Sequence, residues 1–225
     1  MRVATFNLES LDQTTGAGVR LEERIDVLRP QLLRLNADIL CLQEVNGQHR
    51  KGFEHRSLDA LHALLAGTPY AGYHRAATTG PGGDRVADVH NLVTLSRWPI
   101  IERREIRNTL LPPMQYKVSS ACPPILDPVD IAFDRAVLLS TIQLNETSEL
   151  TVINVHLRAP LATPIAGQKE APFVWKSVSG WAEGFFLSGL KRSGQALETR
   201  IIIDCLMDAD PHRLIIVTGD FNAAD

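Results

Sequence analysis

LIIVTGDFN, Leu214 to Asn222, is the stretch on which the reading of this chain turns. Its first half is an apolar, β-branched run with the composition of a buried strand. The run stops at Gly219, and Asp220 and Asn222 follow two residues apart. On an extended chain that spacing sends both side chains to one face. A carboxylate and a carboxamide at the carboxyl end of a core strand can bind a cation or orient a water, and can donate an NH2 to an anionic oxygen. Gly, Asp and Asn are also ordinary turn residues, and taken alone the stretch reads better as a strand closed by an Asx-type turn. What other segments bring to this pair decides its function.

At 225 residues with 44% apolar content, the chain can bury one sizeable core and is short for two, so a single domain over 1–225 is expected. Basic residues number 23 against 26 acidic ones, so no global positive field holds nucleic acid non-specifically, although a local basic groove stays open. No apolar run reaches the roughly 18 residues of a transmembrane helix. The N-terminus, MRVATFNLES, turns polar too soon for the apolar part of a signal peptide. Cys41, Cys122 and Cys205 lack metal-type spacing. They read as small buried hydrophobes of a reducing compartment, and a soluble cytoplasmic protein is the expectation.

Arg2 to Leu8 fits a short strand ending near Asn7, with Glu9 on the same side if the chain stays extended. Gly16 and Gly18 mark a loop. Ile25, Leu28, Leu32 and Leu35 follow helical spacing, with a start near Asp26 because Pro30 belongs in a first turn, and a stop at Asn36. Asp38 to Val45, DILCLQEV, is a buried-strand composition that delivers Glu44, and its apolar neighbours imply a partly buried carboxylate that wants a cation. The following loop gathers His49, Arg50, Lys51, His55 and Arg56, a wet loop that could receive a phosphate. Ser57 is expected to cap a short helix bearing Leu58, Leu61, Leu64 and Leu65. Tyr70 to Ala77 could be a strand. GPGGD, Gly80 to Asp84, is a turn without the strand–loop–helix setting of a phosphate loop.

NLVTLS, Asn91 to Ser96, and Ile100 to Ile106 read as strands, and Asn108 to Ile131, with five prolines, as a long excursion. Arg135 to Leu144 and Leu150 to His156 are joined by a short polar link, which implies an antiparallel hairpin ending in His156. A second excursion, Leu157 to Leu190, gathers Phe173, Trp175, Trp181, Phe185 and Phe186. They pack a small helical insertion or, if exposed, form an apolar lid able to stack on bases or touch lipid. Leu197, Ile201 and Cys205 mark a helix over Ser193 to Met207. Antiparallel hairpins with helices between them predict an α+β domain.

Four strands therefore end in polar groups: Asn7 with Glu9, Glu44, His156, and Asp220 with Asn222. Carboxylates for a hard cation such as Mg2+, one histidine and two amides make the inventory that phosphate-ester hydrolysis needs, since the anion must be neutralised and a water oriented. FNLESL (Phe6 to Leu11), LQEV (Leu42 to Val45), NLVTLSRWPI (Asn91 to Ile100), NVHL (Asn154 to Leu157) and GDFN (Gly219 to Asn222) resemble, in this order, the motifs of the endonuclease/exonuclease/phosphatase superfamily. The resemblance implies the DNase I-like fold, a four-layer α/β/β/α sandwich with its active site at one end. It implies a Mg2+ (or Mn2+) ion at Glu44, with Asn7 near metal and phosphate and Glu9 where some members carry a second acidic ligand. His156 then resembles the histidine that contacts the scissile phosphate or aids proton transfer. Asp220 would orient the attacking water, Asn222 would hydrogen-bond phosphoryl oxygens, and Arg135 would face the phosphate.

One departure stands out. Members of that family continue past GDFN to a terminal Ser-Asp-His motif, and this sequence stops at Asp225. The resemblance thus predicts a C-terminally incomplete sandwich, with an open edge beside the N-terminal strand, that binds metal without full catalytic competence. Two functions stay in view. One is a metal-dependent phosphoesterase acting on a nucleic acid, an inositol or sugar phosphate, or a phospholipid, with nucleic acid not favoured by charge. The other is a catalytically impaired binding or scaffold domain of the same fold.

Overall fold

Alternation of side chains along strands explains most of the architecture. The computed structural model describes all residues except 14–17, 50–51, 81–82, 84 and 224–225. Gly16, Arg50, Lys51 and most of the GPGGD turn therefore lie outside the described residues. In chain order the first elements are β1 (Val3–Leu11), α1 (Leu21–Leu35), β2 (Ile39–Val45), β3 (Gln48–His49), β4 (Arg56–Ser57), α2 (Asp59–Leu65), β5 (His74–Ala77), β6 (Asn91–Ser96) and β7 (Ile100–Ile106). There follow β8 (Met114–Tyr116), β9 (Val129–Ile131), β10 (Val137–Asn145), β11 (Ser148–His156), β12 (Lys169–Ala171), β13 (Val174–Trp175), α3 (Val178–Ala209) and β14 (Leu214–Asp220).

The chain forms two compact units. The first comprises Met1–Glu105, Ala136–His156 and His212–Asp220. It holds two four-stranded sheets, ordered β1-β2-β6-β5 and β14-β11-β10-β7. β1 runs parallel to β2, and β11 parallel to β14, while β6 is antiparallel to β2. On the first sheet Leu40, Leu42, Val93 and Leu95 pack against Leu21, Ile25, Leu32, Leu61 and Leu64 of α1 and α2. The opposite face of β2 sends Ile39 and Cys41 against Ile142, Leu150 and Val152 of the second sheet. Each such buried aliphatic side chain stabilises the fold by about 1.5–3 kcal/mol. Helices, first sheet and second sheet supply three of the four expected layers within this unit.

The second unit comprises Ile106–Arg135, Leu157–Pro211 and Phe221–Asp225. Its core gathers Val118, Ala121, Ile131, Ile165 and Leu187. Two buried glutamates of α3 hold the first excursion in place. Glu183 accepts from the backbone N–H and hydroxyl groups of Ser119 and Ser120, and Glu198 accepts from the N–H groups of Asn108, Thr109, Leu110 and Leu111.

Several sequence expectations are corrected. α1 begins at Leu21 rather than near Asp26, which places Pro30 inside the helix. Pro30 lies on the exposed side, where water can take the hydrogen bond that its missing N–H would have donated to. Ser57 belongs to β4, and Leu58 occupies the cap position of α2. Only His74–Ala77 of the Tyr70 segment is a strand, preceded by a 3-10 turn over Pro69–Gly72. The helix expected over Ser193 to Met207 is the second half of the 32-residue α3. Glycines conceal its first half because they lower helix propensity. At Gly184 the reason is contact: an added Cβ would lie 2.4 Å from the Thr163 carbonyl oxygen. Cys41 is buried as expected, but Cys122 and Cys205 are exposed, and all three are free thiols.

Candidate active site

The space between the two sheets is built in tiers. Positions 3, 5 and 7 of β1, 39, 41 and 43 of β2, 150, 152, 154 and 156 of β11, and 216, 218 and 220 of β14 share this face by alternation. The tiers pass from apolar (Val3, Ile39, Cys41, Val152, Ile216) through amides (Gln43, Asn154) to the cluster at the strand ends.

Asn7 joins the two carboxylates of that cluster. Its Nδ2 donates to Glu44 Oε1 at 3.3 Å and to Asp220 Oδ2 at 2.8 Å. The His156 ring, only 2% exposed, sets Nε2 3.5 Å from Glu44 Oε1 and 3.6 Å from Asp220 Oδ2. Asn7, Glu44, His156 and Asp220, taken from β1, β2, β11 and β14, are thus within reach of one another. β11 and β14 achieve this by parallel pairing, which sets His156 opposite Asp220.

Glu44 reaches the cluster against the pattern of its own strand. Leu40 and Leu42 face the helices, and simple alternation would send Glu44 after them. Its backbone is instead left-handed, with φ 58°, and the β2–β6 register breaks between Leu42 and Val45. Val45 then packs with the helix-side core, on the face that Gln43 avoids. A non-glycine residue in this region costs on the order of 1–3 kcal/mol, a cost the surrounding structure must offset.

The partner strand is also irregular. Glu9 and Ser10 have φ 47° and 55°, and the β1–β2 register breaks between Asn7 and Leu11. The extended path expected to align Glu9 with Asn7 therefore does not persist. Glu9 is exposed and donates its N–H to Asn7 Oδ1. Ser10 takes the inner place and donates N–H and hydroxyl to Glu44 Oε2 at 2.9 and 3.1 Å. Arg24 of α1 fixes the irregular stretch through the carbonyls of Leu8, Glu9 and Ser10. Burial pushes the Glu44 carboxyl upward, but the Asn7 amide, His156, Ser10 and His90 outweigh it and hold the group below its ordinary value.

Sequence reasoning missed Ser10 and His90. Among the described residues, Glu44, His90 and His156 form a potential ligand set whose donor atoms lie within 4.8 Å of one another. The His90 and His156 rings meet edge to face at 6.1 Å. The other cluster residues stand at carboxyl ends of strands, whereas β6 is antiparallel to β2 and pairs Asn91 with Val45. Its amino end therefore arrives at the same edge. The motif NLVTLS pointed to the strand, and the residue just before it was the signal.

Asn222 and Arg135 lie in the second unit. β14 ends at Asp220 and Asn222 has φ 47°, so the same-face spacing expected for the pair stops at the aspartate. Asn222 Nδ2 and Arg135 Nη1 both donate to the Leu157 carbonyl, at 2.9 and 2.6 Å. Arg135 precedes β10 rather than opening it. Of the cationic loop, Arg56 bonds the Gly47 carbonyl and Asp88, and His49 and His55 are exposed. The second unit also has a cavity of about 550 Å3 lined by Arg158, Leu161, Lys169, Trp175, Trp181 and Phe185. Phe173, 84% exposed, joins its rim, and Trp181 stacks on Phe185 at 5.7 Å.

One carboxylate with two imidazoles, and a second carboxylate beside them, fit a divalent cation. Oxygen donors suit Mg2+ and Mn2+, and imidazoles extend the range to Fe2+, Ni2+ and Zn2+. The first unit thus presents a carboxylate–imidazole–amide cluster at the ends of strands from both of its sheets.

Comparison with known proteins gives the family. The profile of the Endonuclease/Exonuclease/phosphatase family matches residues 4–225, and the chain belongs to that family. Among solved structures, TDP2 from C. elegans is 14% identical, with 99% of this chain and 48% of that chain covered and a TM-score of 0.57. A mannosyl-6-phosphatase from Bacteroides thetaiotaomicron is 17% identical over 99% of this chain and 66% of that one, with a TM-score of 0.55. A functionally unknown conserved protein from Enterococcus faecalis is 16% identical over 99% and 67%, also at 0.55. The fold is therefore DNase I-like, and the chain spans about half the length of the TDP2 chain. No curated protein matches the sequence. Among the described residues no helix is long and apolar enough to cross a membrane.

Proposed function

We propose that this chain carries a phosphoesterase site and hydrolyses a phosphate ester or diester with a divalent ion, Mg2+ or Mn2+. The observation that carries this reading is a single nitrogen, Asn7 Nδ2, bonded to both Glu44 and Asp220, with His156 Nε2 beside the same two oxygens. Like charges placed this close favour a bound cation. When bound, the ion neutralises phosphoryl charge and lowers the pKa of a coordinated water.

Glu44 holds the ion in this reading, with Asn7 at the boundary of metal and phosphate and Glu9 able to join from the exposed side. His90 adds a donor that the sequence reading lacked. Asp220 accepts a hydrogen bond from the attacking water and fixes its direction. His156 stabilises the phosphoryl oxygens or moves the proton. Asn222 and Arg135 carry N–H donors of the kind that bind an anion, and both are bonded to the Leu157 carbonyl within the second unit. The mannosyl-6-phosphatase and TDP2 likenesses support the fold alone.

The test is a panel of single-stranded and duplex DNA, inositol and sugar phosphates, and sphingomyelin, given to the protein with Mg2+, Mn2+ or EDTA. Metal-dependent turnover of one class, abolished by EDTA and by Glu44→Gln, supports the reading. Metal binding without turnover of any substrate favours the scaffold alternative. No metal binding at all removes the metal-dependent reading.

A further inference from the structure

We propose that Gln43 and Asn154 are a positioning pair that sets the separation of Glu44 from His156; this rests on the phosphoesterase reading above. The two amides are 1% and 0% exposed. Gln43 Nε2 donates to Asn154 Oδ1 at 2.8 Å and to the Cys41 carbonyl at 3.2 Å. Gln43 Oε1 accepts from the Thr5 hydroxyl at 3.2 Å. Asn154 Nδ2 donates to the carbonyls of Leu42 and Val93, at 3.4 and 3.2 Å. The link thus ties β1, β2 and β6 of one sheet to β11 of the other.

Its place is what gives it a role beyond packing. Apolar residues of this volume would fill the space without desolvating two amides. Apolar surfaces, however, slide, whereas a satisfied amide pair has one register. Gln43 immediately precedes Glu44, whose left-handed backbone the strand must hold. Asn154 lies two residues before His156 on the same face of β11. One buried bond therefore fixes both sheets one residue from the carboxylate and two from the imidazole.

The deciding variant is Gln43→Leu/Asn154→Leu. Removing both partners together leaves neither side-chain amide stranded. The Thr5 hydroxyl loses an acceptor and the Cys41, Leu42 and Val93 carbonyls lose a donor, so thermal melts accompany the variant and identify a folded protein. Positioning predicts that Mn2+ affinity, read by electron paramagnetic resonance, and kcat each fall about 10–100-fold while KM changes little. The exchanged pair, Gln43→Asn/Asn154→Gln, keeps the summed side-chain length, and it is expected to recover much of both losses where Asn154→Gln alone does not. A folded double-leucine variant with parental Mn2+ affinity and kcat overturns the proposal, as does an exchanged pair no better than Asn154→Gln. If the parent itself neither binds Mn2+ nor turns over substrate, the phosphoesterase reading fails separately. Crystal structures of the parent and the double-leucine or Asn154→Gln variant then decide. A Glu44–His156 distance that stays near 3.5 Å sinks the positioning role, and a lengthened one supports it.

Discussion

Glutamate is used in two ways in this molecule. In the first unit Glu44 is half-buried on left-handed backbone, with a serine, an amide, two imidazoles and a neighbouring aspartate around it. In the second unit Glu183 and Glu198 are buried on a regular helix and gripped by main-chain N–H groups of one excursion. Burial raises the Glu183 carboxyl, yet its bonds with Ser119 and Ser120 hold it down at about 2. A carboxylate whose oxygens are met by backbone donors anchors a loop. One whose oxygens face a second carboxylate and imidazoles is arranged for a cation.

The contrast can be broken by substitution, and the largest effects belong to the first unit. Asp220→Asn keeps shape and removes the charge proposed to orient the water, so turnover should fall about 10²–10⁴-fold with little loss of stability, as steady-state kinetics beside thermal melts would reveal. Parental turnover in that variant would remove Asp220 from the chemistry. Gly219→Ala should damage fold and site together. Gly219 has φ 140°, and an added Cβ would lie 2.0 Å from the Val155 carbonyl oxygen, so poor folding or weakened metal binding is expected. Unchanged melting and metal affinity would show that β14 can shift freely.

Effects at the buried glutamate anchors of the second unit should be on stability alone. Glu183→Ala strands the N–H groups of Ser119 and Ser120 and should cost about 1–3 kcal/mol in denaturant melts without altering Mn2+ affinity. A loss of Mn2+ affinity equal to that in a Glu44 variant would erase the distinction between the two carboxylates. The smallest effect concerns pH. Because the folded value of Glu183 is depressed, its contribution is present above the ordinary value of 4.5 and fades as pH falls toward about 2. Urea melts of the parent should weaken over that window more than those of Glu183→Gln. Parallel curves would contradict the anchor's charge.

Much of this was legible in the sequence because strands announce themselves by alternation. NLVTLS and Ile100–Ile106 match β6 and β7 residue for residue, and LQEV, NVHL and GDFN lie where β2, β11 and β14 end. What was not legible arises where regularity fails. The left-handed residues at Glu9, Ser10 and Glu44 exchange Ser10 for Glu9 at the inner position, and no periodicity encodes that. His90 was hidden by strand direction. Glu183 and Glu198 look like solvated helix charges until the excursion folded onto them is seen. Gly184 resembles a helix breaker and is instead the residue that lets α3 approach Thr163.

The most direct test is a Mn2+ titration of the protein and its Glu44→Gln variant, followed by electron paramagnetic resonance. One ion per chain is expected for the parent, with affinity at least about tenfold weaker in the variant and no change in melting that would explain it. If the parent takes up no ion, or if the variant binds as tightly, then β1, β2, β11 and β14 do not converge on a cation and the account fails at its centre.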